Sequence, residues 1–138
     1  MQLRMLESAR FPRYVFQKCN DVASSVNLHG FCDSSSQAYY SVVYVQANFN
    51  GERSSRIIAS KTKVTPIKEL SIPRLELLSC VLLGELMSGI SRSLKDVVTV
   101  DQTFFYSDSL VALAWIKSEG KLWKPWIQNR VKIIRKIS

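Results

Sequence analysis

The chain has 138 residues, of which 46% are hydrophobic, so it can bury the core of one domain without a disulfide or a structural metal. Nineteen Lys and Arg against eleven Asp and Glu give a formal charge of +8, which favours a polyanionic partner such as nucleic acid. Cys19, Cys32 and Cys80 form no Cys-x-x-Cys motif and no uninterrupted apolar stretch predicts an export signal or membrane span, so we expect an intracellular protein with reduced thiols and no membrane partner.

The first part of the chain shows no periodicity. Residues 1–26 mix charges and aromatics, and the segment Phe11-Pro12-Arg13 interrupts any helix that begins earlier. We predict that residues 1–26 are the tail of an upstream connecting region and that residues 27–138 form the domain.

Residues 28–60 predict three strands. An apolar run over residues 28–33 ends at Asp33, a serine-rich turn follows, and residues 39–49 are rich in Tyr and Val. Gly51 supplies the positive φ of a second turn, and residues 56–60 predict a third strand. The result is an antiparallel meander.

A helix and a fourth strand come next. Ser71 and Pro73 indicate a helix start, with Glu76 expected in the first turn, and apolar residues then recur at steps of three and four: Leu75, Leu78, Leu82, Leu86 and Ile90. Residues 97–106 predict a strand with Phe104 and Tyr106 on one face. Ser109 is expected to cap a short helix from Leu110 to Lys117.

The last segment is strongly basic. Residues 117–138 contain seven Lys or Arg and one Glu, and residues 123–137 predict an amphipathic helix with Trp123, Ile127, Val131 and Ile134 on its apolar side. Such a helix suits nucleic acid, although a solvated face has the same composition. The sequence stops at Ser138 with no closing strand, so we expect a domain truncated at its C-terminus.

Three carboxylates lie at or near the ends of these predicted elements. With the fourth strand parallel to the first, Asp33 and Asp108 would end adjacent strands and Glu76 would reach over from the helix. Hard oxygen donors without His or Cys favour Mg²⁺ or Mn²⁺, and two such ions roughly 3.5–4 Å apart can support phosphodiester cleavage. Each acid also has a structural alternative: Asp33 as a turn cap, Glu76 as a partner of the helix dipole, and Asp108 as a helix cap.

Five sequence blocks together resemble a known family. In order they are residues 29–35 (HGFCDSS), 60–64 (SKTKV), 72–77 (IPRLEL), 107–109 (SDS) and 123–124 with 129–131 (WK and NRV). They resemble the ribonuclease H-like region of BEL/Pao-type LTR retrotransposon pol polyproteins, a family also catalogued under a Pao retrotransposon peptidase heading.

The resemblance implies a ribonuclease H-like α/β fold: a mixed sheet of a three-stranded antiparallel meander and a parallel fourth strand, with helices. It implies hydrolysis of the RNA strand of an RNA/DNA hybrid by two Mg²⁺ or Mn²⁺ ions, with a reverse transcriptase upstream and an integrase downstream in the polyprotein. Asp33, Glu76 and Asp108 match the catalytic, metal-binding acids. The fold also expects a fifth strand, a last helix and a fourth acid, which would follow Ser138, so catalysis by residues 1–138 alone stays open.

Nucleic-acid contacts are expected from the basic segment and the start of the long helix, at Arg74, Lys124, Asn129, Arg130 and Lys132. The alternative is a catalytically inactive nucleic-acid-binding remnant or connecting module. Peptidase activity is not expected because neither Asp33-Ser34-Ser35 nor Asp108-Ser109-Leu110 supplies the Asp-Thr/Ser-Gly motif of aspartic peptidases. An integrase-like core is disfavoured because Glu76 lies between the two aspartates rather than after them.

Overall fold

A four-stranded mixed sheet forms the centre of the fold. The computed structural model describes residues 17–18, 21–22, 25–65, 70–117 and 125–137. The strands are β1 (Gln17–Lys18), β2 (Asp21–Val22), β3 (Ser25–Ser34), β4 (Ala38–Phe49), β5 (Glu52–Val64) and β6 (Gln102–Ser107), and the helices are α1 (Ile72–Leu94), α2 (Leu110–Lys117) and α3 (Pro125–Ile137). Most of the predicted tail 1–26 lies outside the described residues, as do residues 123–124 of the predicted basic helix.

The topology confirms the predicted α/β architecture. The sheet has the strand order β5-β4-β3-β6, in which β3, β4 and β5 are an antiparallel meander and β6 runs parallel to β3. Since neighbouring parallel strands need a long crossover connection, α1 supplies it between β5 and β6. This arrangement brings the C-terminal ends of β3 and β6 to the same edge of the sheet.

The turn between β4 and β5 fixes the register of the meander. Asn50 and Gly51 have φ angles of 50° and 87°, and Phe49 pairs with Glu52 across them. A two-residue loop with positive φ at both positions matches the right-handed twist of the strands, and Asn-Gly is the sequence that adopts it most readily. The role predicted for Gly51 is therefore confirmed.

Helix α1 packs across one face of the sheet. A Cβ atom added to Gly30 of β3 would lie 2.6 Å from Leu83 Cδ1 and 2.8 Å from Met87 Cε, so glycine at this position allows the close approach of the helix. The predicted stripe of α1 is buried except for the half-buried Leu78. More of the circumference is buried than predicted, including Leu77 and Val81, because α2 and α3 pack against α1 as well.

The start of α1 differs from its prediction in detail. Pro73 lies in the first turn as expected, and Ser71 is the N-cap residue, but its side chain makes no capping hydrogen bond. By length and composition α1 is also apolar enough to cross a membrane, with a mean hydropathy of 1.3 over an 18-residue window. Of that window 61% is buried inside the fold, as in the core helix of a globular domain.

Strand β6 begins later than predicted. The chain leaves α1 through a turn in which the amides of Val97 and Val98 donate to the carbonyl of Leu94, at 2.9 and 3.0 Å. Asp101 then ties the chain to β3, because its carboxylate accepts a hydrogen bond of 2.8 Å from the amide of Val26. Val98 and Val100 before Asp101 pack on the core from a loop. The sequence pattern does not distinguish this packing from that of a strand.

The sheet face opposite α1 carries a ladder of aromatic rings from β3 and β6. His29 stacks on Phe104 with ring centroids 4.9 Å apart, and Phe31 stacks on Tyr106 at 4.7 Å. Both nitrogens of His29 are hydrogen-bonded, Nδ1 to the Tyr106 hydroxyl at 3.0 Å and Nε2 to Gln46 Oε1 at 2.9 Å. His29 is thus a packed strand residue.

Candidate active site

The parallel pairing of β3 and β6 places two of the predicted acids side by side. Cys32 of β3 is the register partner of Ser107 of β6, and Asp33 and Asp108 are the residues that follow them. Both aspartates line one cleft of about 420 Å³, together with Phe31, Cys32, Tyr40, Val42, Tyr106 and Ser107. The two aspartates therefore face a common volume that is large enough for a ligand.

The Asp33 carboxylate is half-buried and held on both oxygens. Oδ1 accepts a hydrogen bond of 2.8 Å from the amide of Ser34, and Oδ2 accepts one of 3.2 Å from the Tyr40 hydroxyl. The hydrogen bond to Asp33 raises the pKa of Tyr40, and the charges of Asp33 and Asp108 raise it further. Negative potential from both aspartates thus reaches the wall of the cleft.

Glu76 is connected to the cleft through Ser109. The Ser109 hydroxyl donates a hydrogen bond to Glu76 Oε2 and accepts one of 3.1 Å from the amide of Ala112. The same buried hydroxyl therefore caps α2, as predicted, and holds the glutamate beside the residue that follows Asp108. Glu76 is the fifth residue of α1, so the expectation that it lies in the first turn is wrong.

The described contacts bear on the capping and dipole roles considered for the three acids. Ser109 performs the capping that Asp108 was considered for, and the first turn of α1 contains no acid, which removes the dipole role considered for Glu76. The serine-rich turn is organised by Ser35, whose Oγ accepts hydrogen bonds of 3.2 Å from the amides of Gln37 and Ala38. Within this turn Asp33 accepts a hydrogen bond from the Ser34 amide alone, among the described residues.

The carboxylates do not form a compact triad in the described part of the chain. Within those residues, no group of three or more His, Cys, Asp or Glu side chains lies close enough to hold a metal ion. Asp33 and Asp108 line the same cleft, whereas Glu76 is hydrogen-bonded to Ser109, the residue that follows Asp108. The Asp108 carboxylate is exposed and forms no hydrogen bond with any described residue.

One family model matches most of the chain. The model of the Pao retrotransposon-like RNaseH-like domain matches residues 1–109. The chain belongs to this family. The match includes Asp33, Glu76 and Asp108 and the whole four-stranded sheet, and it places this Pao-type domain among the parts of retrotransposon polyproteins. No curated protein matches the chain.

Two of the predicted nucleic-acid contacts of this Pao-type domain, Arg74 of α1 and Arg130 of α3, meet at one tryptophan ring. The Arg74 and Arg130 guanidinium carbons lie 5.3 and 4.4 Å from the centroid of the Trp126 ring, and Arg130 also donates to the Trp126 carbonyl at 3.3 Å. Asn129 and Lys132 are exposed on α3. Lys124 lies outside the described residues.

The apolar side of α3 agrees with the predicted pattern. Ile127, Val131 and Ile134 are buried, and α3 packs on α1 and α2. Trp123, the fourth residue of that predicted side, is not among the described residues. The packing fixes the orientation of α3 and leaves Lys132, Arg135 and Lys136 exposed.

Three contacts of the site were not predicted from the sequence: that of Tyr40 with Asp33, that of Ser109 with Glu76, and that of Trp126 with the two arginines. Of these, only Trp126 carried a local signal, since Arg130 follows it at the i,i+4 spacing of helical neighbours. The cleft also contains a thiol that was interpreted only as reduced. The hydrogen bond between Cys32 and Cys80 lowers the pKa of Cys32, and the same contact, together with burial, raises the pKa of Cys80.

Proposed function

We propose that this domain hydrolyses the RNA strand of an RNA/DNA hybrid with the help of two Mg²⁺ or Mn²⁺ ions. The observation that carries the proposal is the cleft at the ends of two adjacent parallel strands, where Asp33 and Asp108 face the same volume. Glu76 supports it, because its carboxylate is hydrogen-bonded to Ser109, the residue that follows Asp108. Membership of a ribonuclease H-like family supports the choice of substrate.

The donor set suits hard divalent cations. Asp33, Glu76 and Asp108 offer carboxylate oxygens, the ligands that Mg²⁺ and Mn²⁺ prefer. When bound, such ions would neutralise phosphate charge and activate a water molecule for attack on the phosphodiester. The chain's own contribution is to hold Asp33 between the Ser34 amide and Tyr40, and to hold Glu76 through Ser109.

The arginines around Trp126 are suited to the phosphates of the hybrid. Arg74 lies at the start of α1, where its guanidinium group is positioned over the Trp126 ring. Arg130 is brought to the same indole, and Asn129 and Lys132 extend the polar surface along α3. Lys124 joins this proposed surface by sequence. We also propose that the domain lies between a reverse transcriptase and an integrase in its polyprotein.

The test is cleavage of a hybrid with labelled RNA in Mg²⁺, by the 138-residue chain and by a version extended with the downstream sequence. Asp33→Asn, Glu76→Gln and Asp108→Asn should each reduce cleavage by about 100-fold or more, because each removes a carboxylate ligand and keeps its shape. Chelation of the metal should abolish cleavage. The matched control is Asp96→Asn, an exposed aspartate in the turn after α1. RNA cleavage that survives the three substitutions would refute the proposed site.

A second candidate is nucleic-acid binding without catalysis. It is favoured by the lack of a compact metal-binding group among the described residues and by the basic exposed side of α3. This candidate predicts salt-sensitive hybrid binding with no cleavage and no loss of affinity in Asp33→Asn or Asp108→Asn. Measurement of binding and cleavage on the same preparations therefore separates the two.

A further inference from the structure

Two buried thiols face each other directly behind the cleft. Cys32 Sγ of β3 and Cys80 Sγ of α1 are 3.7 Å apart, and the side chains are only 7% and 8% exposed. Cys32 Sγ also lies 3.6 Å from the carbonyl oxygen of Tyr106. A disulfide needs a sulfur–sulfur distance of about 2.05 Å, so the two atoms need to approach by only about 1.6 Å.

The surroundings of the thiols give them room and access. Cys32 and Cys80 both line a cavity of about 120 Å³ between β6, α1, α2 and α3, and Cys32 also lines the cleft that contains Asp33 and Asp108. This cavity is large enough to admit a small oxidant beside the two sulfurs. It also leaves space for a cysteine side chain to rotate toward its partner.

We propose that Cys32 and Cys80 are a redox-active pair that a hydroperoxide converts to a disulfide, which pins β3 to α1. In the first step Cys32 sulfur attacks one peroxide oxygen, the O–O bond breaks, and a sulfenic acid and one water (or alcohol) form. In the second step Cys80 sulfur attacks the Cys32 sulfur and displaces the hydroxyl, which leaves as water. The two thiols lose two electrons and two protons, and the hydroperoxide accepts them.

The bond would act on the elements that carry the acids. Cys32 immediately precedes Asp33, and Cys80 lies one helical turn after Glu76. A shift of about 1 Å in a catalytic group can cost 10²-fold in rate, so we expect oxidation to reduce hybrid cleavage by about 10- to 100-fold. This consequence rests on the proposed nuclease function, whereas formation of the disulfide does not.

The experiment uses the full chain with Cys19→Ser, which leaves Cys32 and Cys80 as its only cysteines. The reduced protein is treated with hydrogen peroxide and then catalase, digested without reductant, and examined by mass spectrometry. The expected product is a peptide containing Cys32 joined to one containing Cys80, with the loss of two hydrogens. Hybrid cleavage is measured before oxidation, after it, and after dithiothreitol. The control is Cys80→Ala, with its fold checked by circular dichroism.

Each result decides one part of the proposal. A joined peptide with reversible loss of cleavage, absent in Cys80→Ala, supports it in full. If both thiols remain open to alkylation after peroxide, the pairing is refuted whatever the cleavage assay shows. A joined peptide with unchanged cleavage refutes control of activity by the pair. If the untreated chain does not cleave, the failure belongs to the proposed function, and the joined peptide alone decides whether the pair is redox-active.

Discussion

The hydroxyl of Tyr40 is the one side-chain group that contacts the Asp33 carboxylate from a neighbouring strand in the described structure. It reaches Asp33 because the two residues are register partners in the antiparallel pairing of β3 and β4. The hydroxyl leaves the carboxylate charge in place, but it donates a hydrogen bond to Oδ2, an oxygen that could otherwise bind a cation. Tyr40 therefore reports on the electrostatic state of the cleft.

This gives a test that does not depend on catalysis. Because the hydrogen bond and charge of Asp33 raise the pKa of Tyr40 above its ordinary value of 10.0, Asp33→Asn should bring it back toward that value. The measurement is the phenolate absorbance during alkaline titration, with Tyr40→Phe as the reference that removes the group. The stability that the contact contributes is present below the ordinary pKa and is lost as the pH rises through the raised one. Identical titrations of wild type and Asp33→Asn would contradict the contact.

At the scale of elements, Ser109 joins three parts of the site. Ser109 comes shortly after the end of β6, and its buried hydroxyl both caps α2 and donates a hydrogen bond to Glu76 of α1. A helix cap and a carboxylate partner are thus combined in a residue that never needs to touch substrate. The orientation of Glu76 is therefore coupled to the integrity of α2.

Ser109→Ala should destabilise the domain by about 1–3 kcal/mol, since it removes an N-cap and leaves Glu76 without its donor. The free energy of unfolding in urea measures the effect. Ser91→Ala is the matched control, because Ser91 is exposed on α1, and its effect should stay within about 0.5 kcal/mol. An unfolding free energy of Ser109→Ala equal to that of Ser91→Ala would show that the hydroxyl is dispensable.

Local patterns predicted the elements better than their contacts. The meander followed from alternation and from Asn50-Gly51, and α1 followed from its apolar spacing, since both depend on neighbours in sequence. The start of β6 was misjudged because apolar β-branched residues suit a packed loop as well as a strand. The partners of the acids could not be predicted, because the Ser109–Glu76 contact spans 33 residues and depends on how α2 meets α1.

At the scale of the whole molecule, part of the formal charge of +8 lies on the exposed side of α3. The apolar side of α3 is buried against α1 and α2, so its exposed side presents basic residues such as Lys132 and Lys136. Arg130 differs from these because Trp126 holds it beside Arg74. A side chain that is already oriented loses less conformational entropy when it binds a phosphate.

The salt dependence of hybrid binding tests this arrangement. Arg130→Ala should weaken binding and reduce the slope of log affinity against log salt by about 1, as expected for the loss of one phosphate contact. Lys95→Ala removes the same charge at the opposite end of α1 and should leave the slope unchanged. Fluorescence anisotropy over a salt series measures both. Equal slopes for the two variants would mean that Arg130 acts only through net charge.

The pairing of β6 with β3 also sets the order of events during synthesis. Asp33 and Asp108 come from opposite ends of the crossover through α1, and they share a cleft only because β6 returns beside β3. A nascent chain that has released β3, β4, β5 and α1 from the ribosome still lacks one wall of the cleft. Any catalytic or metal-binding property of this cleft is therefore acquired only after residue 108 has emerged and β6 has docked beside β3.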